Sequence, residues 1–114
     1  MIKVKNCKKV ITGDKGWLLE ILSDRDGFTE MKGQVYLITV NPGQKKGPHH
    51  HDETDYYVTC IKGLVKYSIY EESVIMGDSD FKTAFMPRGS SHVIENISND
   101  VAYIIMYRPT SYEG

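Results

Sequence analysis

The sequence predicts an all-β fold, a small sandwich or barrel, on three observations. Turn-forming residues recur at short intervals, at Asn41-Pro42-Gly43, Gly77-Asp78-Ser79-Asp80, Pro87-Arg88-Gly89 and from Asn96 to Asp100. Between the turns lie short runs rich in Val, Ile, Tyr and Thr, the residues that suit a pleated, half-buried surface. Several runs also alternate. Across residues 64–70, Val65, Tyr67 and Ile69 share one face while Lys66 and Ser68 share the other, which is the two-residue period of a strand.

In chain order, residues 16–22 (Gly-Trp-Leu-Leu-Glu-Ile-Leu) fit either a short helix or an opening strand, because a run this short carries too few periods to choose. Strands are then expected over residues 34–40, 56–61, 64–70, 82–86 and 101–107. No repeat or linker interrupts them, and 114 residues are enough for one core, so residues 1–114 are expected to form a single domain. Barrels of this size leave an edge strand open, and pairing covers it; a homodimer is expected.

Charge narrows the partners. Fourteen Lys and Arg nearly balance fifteen Asp and Glu, so no net field draws the chain to nucleic acid or to an anionic membrane. No stretch approaches the ~18 apolar residues of a membrane helix. The first residues lack the apolar segment of a secretory signal. The two cysteines, Cys7 and Cys60, form no C-x-x-C pair. Isolated thiols suit a reducing compartment, and a cytoplasmic location is expected.

All four histidines fall in two places, His49-His50-His51 and His92. On a strand, His49 and His51 point to one side and His50 to the other. Two imidazoles on one face either hold a metal ion or serve as base and partner in proton transfer. His92, if a distant strand brings it near, completes a set of three imidazoles suited to a divalent transition metal such as Zn, Ni, Fe or Cu. His50 is expected at the surface.

These residues sit in two spaced motifs that resemble the cupin signature. In the first, Gly43 is followed after five residues by His49-x-His51, then by Tyr56 where cupins usually carry a glutamate, then by Gly63. The second, Pro87-x-Gly89-x-x-His92-x-x-x-Asn96, matches except that Phe81 stands at its leading glycine. The resemblance covers residues 43–96 and implies a double-sheet jelly-roll barrel. Within the cupins, Gly33-Gln34-Val35-Tyr36, Lys46-Gly47-Pro48-His49-His50-His51 and Val58 to Gly63 are similar to the dTDP-4-dehydrorhamnose 3,5-epimerases and nucleotide-sugar 3,4-ketoisomerases. That likeness implies proton abstraction beside a sugar ketone, with a nucleotide sugar as the small-molecule ligand. His49 would be the base, His51 its partner and a strand tyrosine the acid. The family's acid aligns with Ile105; Tyr103 and Tyr107 flank it on the same strand face, and Tyr107 is taken as the acid. Lys46 stands where the epimerases have arginine, and with Tyr36, Tyr56 and Arg88 it makes up the expected substrate-binding set. The alternative reading gives His49, His51 and His92 to a metal ion, as an oxygenase or binding module without sugar chemistry.

Overall fold

A computed structural model describes residues 2–51 and 54–109, apart from the side chain of His51. Among these, ten strands form two antiparallel sheets. The larger has the order β1-β2-β3-β10-β5-β8, from β1 (Lys8–Ile11), β2 (Trp17–Ser23), β3 (Gln34–Val40), β10 (Ala102–Arg108), β5 (Tyr56–Lys62) and β8 (Thr83–Met86). The smaller has the order β4-β9-β6-β7, from β4 (Lys45–His51), β9 (Ser90–Asn96), β6 (Leu64–Ile69) and β7 (Glu72–Gly77). Every expected strand is present, and the undecided segment 16–22 is strand β2. It pairs with β3 through Leu18↔Ile38, which turns Leu18 toward the core.

Strands β1, β4, β7 and β9 were not among the expected runs, for a physical reason in each case. All of β1 is exposed and so shows no burial alternation. Edge strand β7 is exposed at three of its six residues and shows no regular alternation, while β4 and β9 are rich in Lys, His and Ser, residues with little intrinsic strand preference. Tertiary pairing overrides that local preference.

The core lies between the sheets. It takes Ile38 and Val40 from β3, Tyr56, Val58 and Cys60 from β5, Val65 and Tyr67 from β6, and Ile94 from β9. Ala102, Ile104 and Met106 of β10 complete its wall, so the even-numbered residues of β10 face inward. Asn96 closes one end of the barrel. Its amide donates to the carbonyls of Val40 (2.8 Å) and Asp100 (2.7 Å), and its carbonyl oxygen accepts from Ser98 N (2.8 Å) and Ser98 Oγ (2.7 Å). The last residue of the second motif thus ties a turn to both sheets. No helix among the described residues is long and apolar enough to cross a membrane.

Candidate functional site

Strands β4 and β9 are neighbours in the smaller sheet, and their register sets His49 directly opposite His92. The two rings lie 6.2 Å apart between centroids. His92 is 3% exposed, and its Nδ1 lies 2.9 Å from the buried Tyr67 hydroxyl. That hydrogen bond fixes the ring. Burial holds the Tyr67 phenol well above its ordinary pKa, so it stays a neutral hydroxyl. His49 is exposed and stands at the mouth. Between Lys46 and His49 the ladder shifts register, and Gly47 fills the irregularity at φ 104°. A Cβ there would lie 2.4 Å from the His92 carbonyl oxygen, so only glycine lets β4 pass this close to β9.

The rings open onto a cavity of about 270 Å³ between the sheets, lined by Leu18, Tyr36, Ile38, Tyr56, Ile94 and Met106 together with Thr12, Lys46, His49 and His92. Its walls are mainly apolar. A second recess of about 280 Å³ shares Thr12, Lys46 and His49 and adds Lys15 and Gly47, so it is basic and has no carboxylate in its lining. Lys46 is only 8% exposed, and its ammonium donates to the Trp17 carbonyl at 3.4 Å. Burial, with a smaller contribution from the Lys15 charge, lowers its pKa from 10.5 to about 8. The buried hydroxyl of Thr12 has no hydrogen-bond partner among the described residues. A basic recess with such a hydroxyl suits an anionic or hydroxyl-rich group.

The structure brings together His49, His92, Lys46, Tyr36 and Tyr56 from the sequence reading. Tyr56, at the usual glutamate position, is buried with its ring centroid 5.8 Å from that of His92. Tyr36 donates its hydroxyl hydrogen to Gln34, and the Arg108 guanidinium lies 5.7 Å from its ring centroid. Tyr107 is not brought to the cavity. Because Met106 and Arg108 point inward, the two-residue period turns Tyr107 to the outer face, where its ring lies 6.0 Å from that of Tyr57. Arg88 is not brought there either. It is exposed, and its backbone N–H (2.9 Å) and Nε (3.5 Å) both meet Asp55, a clamp joining the two motifs. The Arg88 backbone N–H holds the Asp55 carboxyl below its usual pKa. His50 is exposed, and the side chain of His51 lies outside the described residues. Sequence reasoning passed over Thr12 and Lys15, which come from the turn before β2; the apolar lining residues follow from strand alternation once the sheet order is known.

Among the described residues, no group of three or more His, Cys, Asp or Glu is placed to hold a metal ion. His49 and His92 fit as two imidazole ligands on one cavity, and His51 follows on the same strand.

The two facing sheets and the cavity between them define a cupin fold. A cupin-2 domain protein of Rhodospirillum rubrum superposes with a TM-score of 0.79 at 10% identity, covering 100% of this chain and 76% of that one. The capsular polysaccharide assembling protein CapF of Staphylococcus aureus superposes with a TM-score of 0.76 at 20% identity over 96% of this chain. This chain spans only 32% of the CapF chain. In sequence, the spore coat polysaccharide biosynthesis protein SpsL of Bacillus subtilis (strain 168) is 25% identical over 122 residues, spanning 97% of this chain and 80% of that protein. No protein-family profile matches the chain.

Proposed function

We propose that this chain modifies a sugar, and that it is an isomerase acting on a nucleotide-linked 4-keto-6-deoxy sugar by 3,5-epimerisation or 3,4-ketoisomerisation. The observation that carries the reading is the His49–His92 pair at the edge of an apolar cavity that also receives Lys46 and two tyrosines. The polysaccharide roles named for SpsL and CapF agree with a sugar ligand.

In this reading a neutral His49 imidazole accepts the proton from C3 beside the ketone, with His51 as its partner. The C–H electron pair becomes the C3–C4 double bond, and negative charge develops on O4. Return of a proton to C3 on the opposite face inverts that carbon, and the same abstraction and return at C5, the other carbon beside the ketone, completes a 3,5-epimerisation; return to C4 instead, with the O3 proton transferred to O4, moves the ketone to C3. Apolar walls exclude water and strengthen the field at O4. The phenol that returns the proton is Tyr56 or Tyr36, the tyrosines that line the cavity, rather than Tyr107. Lys46, Lys15 and Thr12 hold the anionic or hydroxyl-bearing end of the ligand. Free thiols at Cys7 and Cys60 fit a cytoplasmic setting.

The test is solvent-deuterium incorporation at carbon 3 of a dTDP-4-keto-6-deoxyglucose-type substrate. Wild-type protein should exchange and His49→Asn should not. Absence of exchange by wild type across a panel of 4-keto sugars overturns the proposal.

A second reading has its own observation, the Tyr67 hydroxyl on His92 Nδ1, an outer partner of the kind that orients metal-bound histidines. Here His49, His51 and His92 hold a divalent transition metal, which would act as a Lewis acid toward a bound oxygen ligand. Elemental analysis of untagged protein decides it: stoichiometric metal that disappears in His92→Ala supports this reading, and metal-free folded protein removes it.

A further inference from the structure

The surroundings of Lys46 serve an ammonium poorly and a free amine well. On a regular strand, residues three apart face opposite ways. The register shift at Gly47 changes that: Lys46 pairs with Ile94 and His49 with His92, both inward residues of β9, so amine and imidazole enter one cavity. Lys46 is buried and lines both the apolar cavity and the basic recess. An ammonium has three hydrogens to place, yet among the described residues Lys46 makes one hydrogen bond, the long one to the Trp17 carbonyl. The titratable groups that line the two spaces with it are Lys15, His49, His92, Tyr36 and Tyr56, and none of the described lining residues carries a carboxylate. At a pKa of about 8, about a quarter of the amine is neutral at pH 7.5, against roughly 0.1% for an exposed lysine. Burial in apolar surroundings beside a second cation is what makes a lysine amine a nucleophile toward carbonyl carbon.

We propose that Lys46 forms an imine with the carbonyl group of the ligand, so that the chain holds a ketone or aldehyde covalently. The proposal deepens the keto-sugar reading and takes from it only the identity of the ligand. The Nζ lone pair attacks the carbonyl carbon, the C=O electron pair moves to oxygen, and a nitrogen proton passes to that oxygen through His49. A second proton, from the Tyr36 or Tyr56 hydroxyl, releases the oxygen as water. The nitrogen lone pair closes the C=N bond, leaving a protonated imine, and the phenol regains its proton when water adds back. At C4 of a keto sugar this group draws electrons more strongly than the ketone. His49 then takes the C3 proton, and the electron pair ends on nitrogen. Return of the proton to C3 on either face restores the imine, and water frees the sugar. Return to C4 would leave the sugar on Lys46 through a C–N single bond, so the imine route epimerises and does not move the ketone. Lys15 and Thr12 remain for the anionic or hydroxyl-bearing end of the ligand.

Reductive trapping tests this without assuming any sugar. The full chain is incubated at pH 7.5 with dihydroxyacetone and sodium cyanoborohydride, which reduces an imine to a stable secondary amine, and the labelled peptides are mapped by mass spectrometry. Lys46 should gain the mass of the ketone less one oxygen at least about tenfold faster than the exposed Lys66 of the other sheet. Lys46→Arg, which keeps a cation and removes the amine, should lose this adduct; if that variant fails to fold by circular dichroism, the site-resolved rates in wild type decide alone. Labelling of Lys46 no faster than Lys66 overturns the proposal, and leaves the isomerase reading standing if deuterium still enters carbon 3. Selective labelling of Lys46 without deuterium exchange in any 4-keto sugar supports the amine chemistry and removes the isomerase reading instead.

Discussion

Replacing Lys46 with methionine should make the protein more stable at neutral pH and less able to hold its ligand. The ammonium is buried against the Trp17 carbonyl with Lys15 as an unfavourable neighbour, and its pKa falls from 10.5 to about 8. At ~1.4 kcal/mol per pH unit, that displacement corresponds to about 3 kcal/mol of lost stability when the group is charged in both states. The cavity mouth admits solvent, which reduces the expected figure to roughly 2 kcal/mol. The sign follows from proton counts. Between pH 8 and 10.5 the unfolded chain keeps a proton that the folded chain has released, so wild-type stability rises with pH across this window. Below pH 8 the full penalty applies. Methionine has a similar length and no charge, so Lys46→Met should raise Tm by about 10 °C at pH 7, and by pH 10 only about a quarter of that gain should remain. Thermal unfolding of both proteins at the two pH values measures the difference, and other titrating groups cancel. A variant less stable than wild type at pH 7, or a gain unchanged at pH 10, refutes the reasoning.

Other expectations follow from the same geometry. Asn96→Ala leaves two carbonyls and a buried turn without their hydrogen bonds and should cost about 2–4 kcal/mol, read as a lower urea midpoint with an unchanged slope. Tyr67→Phe should cost about 1 kcal/mol and free the His92 ring, seen as a changed imidazole nitrogen resonance by NMR and a roughly tenfold slower exchange at carbon 3. Gly47→Ala places a methyl against the His92 carbonyl at positive φ; it should destabilise by about 2 kcal/mol or more and remove deuterium exchange, with amide shifts concentrated in β4 and β9.

Several features were legible in the chain before any coordinates. Alternation at Val65, Tyr67 and Ile69 and the regular turns gave β3, β5, β6, β8 and β10, because burial on one face of a strand forces a two-residue period. The spacing of Gly43, His49, Gly63, Pro87, Gly89, His92 and Asn96 resembles the cupin signature, and that resemblance is what implied the particular barrel. The roles of individual motif residues were less legible. Asn96 ties its turn to the Val40 carbonyl and Asp55 clamps Arg88, contacts that span 56 and 33 residues of chain.

The sequence by itself determined that the chain forms β-sheets, where its turns fall and which residues hold titratable chemistry, since these depend on neighbours a few positions apart. Only the tertiary structure decided that β4 lies beside β9, so that His49 faces His92, that Lys46 is buried in the same recess as Thr12 and Lys15, and that Tyr107 is turned outward. Such facts rest on segments more than thirty residues apart in the chain, Lys15 and Lys46 being the nearest, and a local pattern carries no information about which distant segment completes a sheet or a recess.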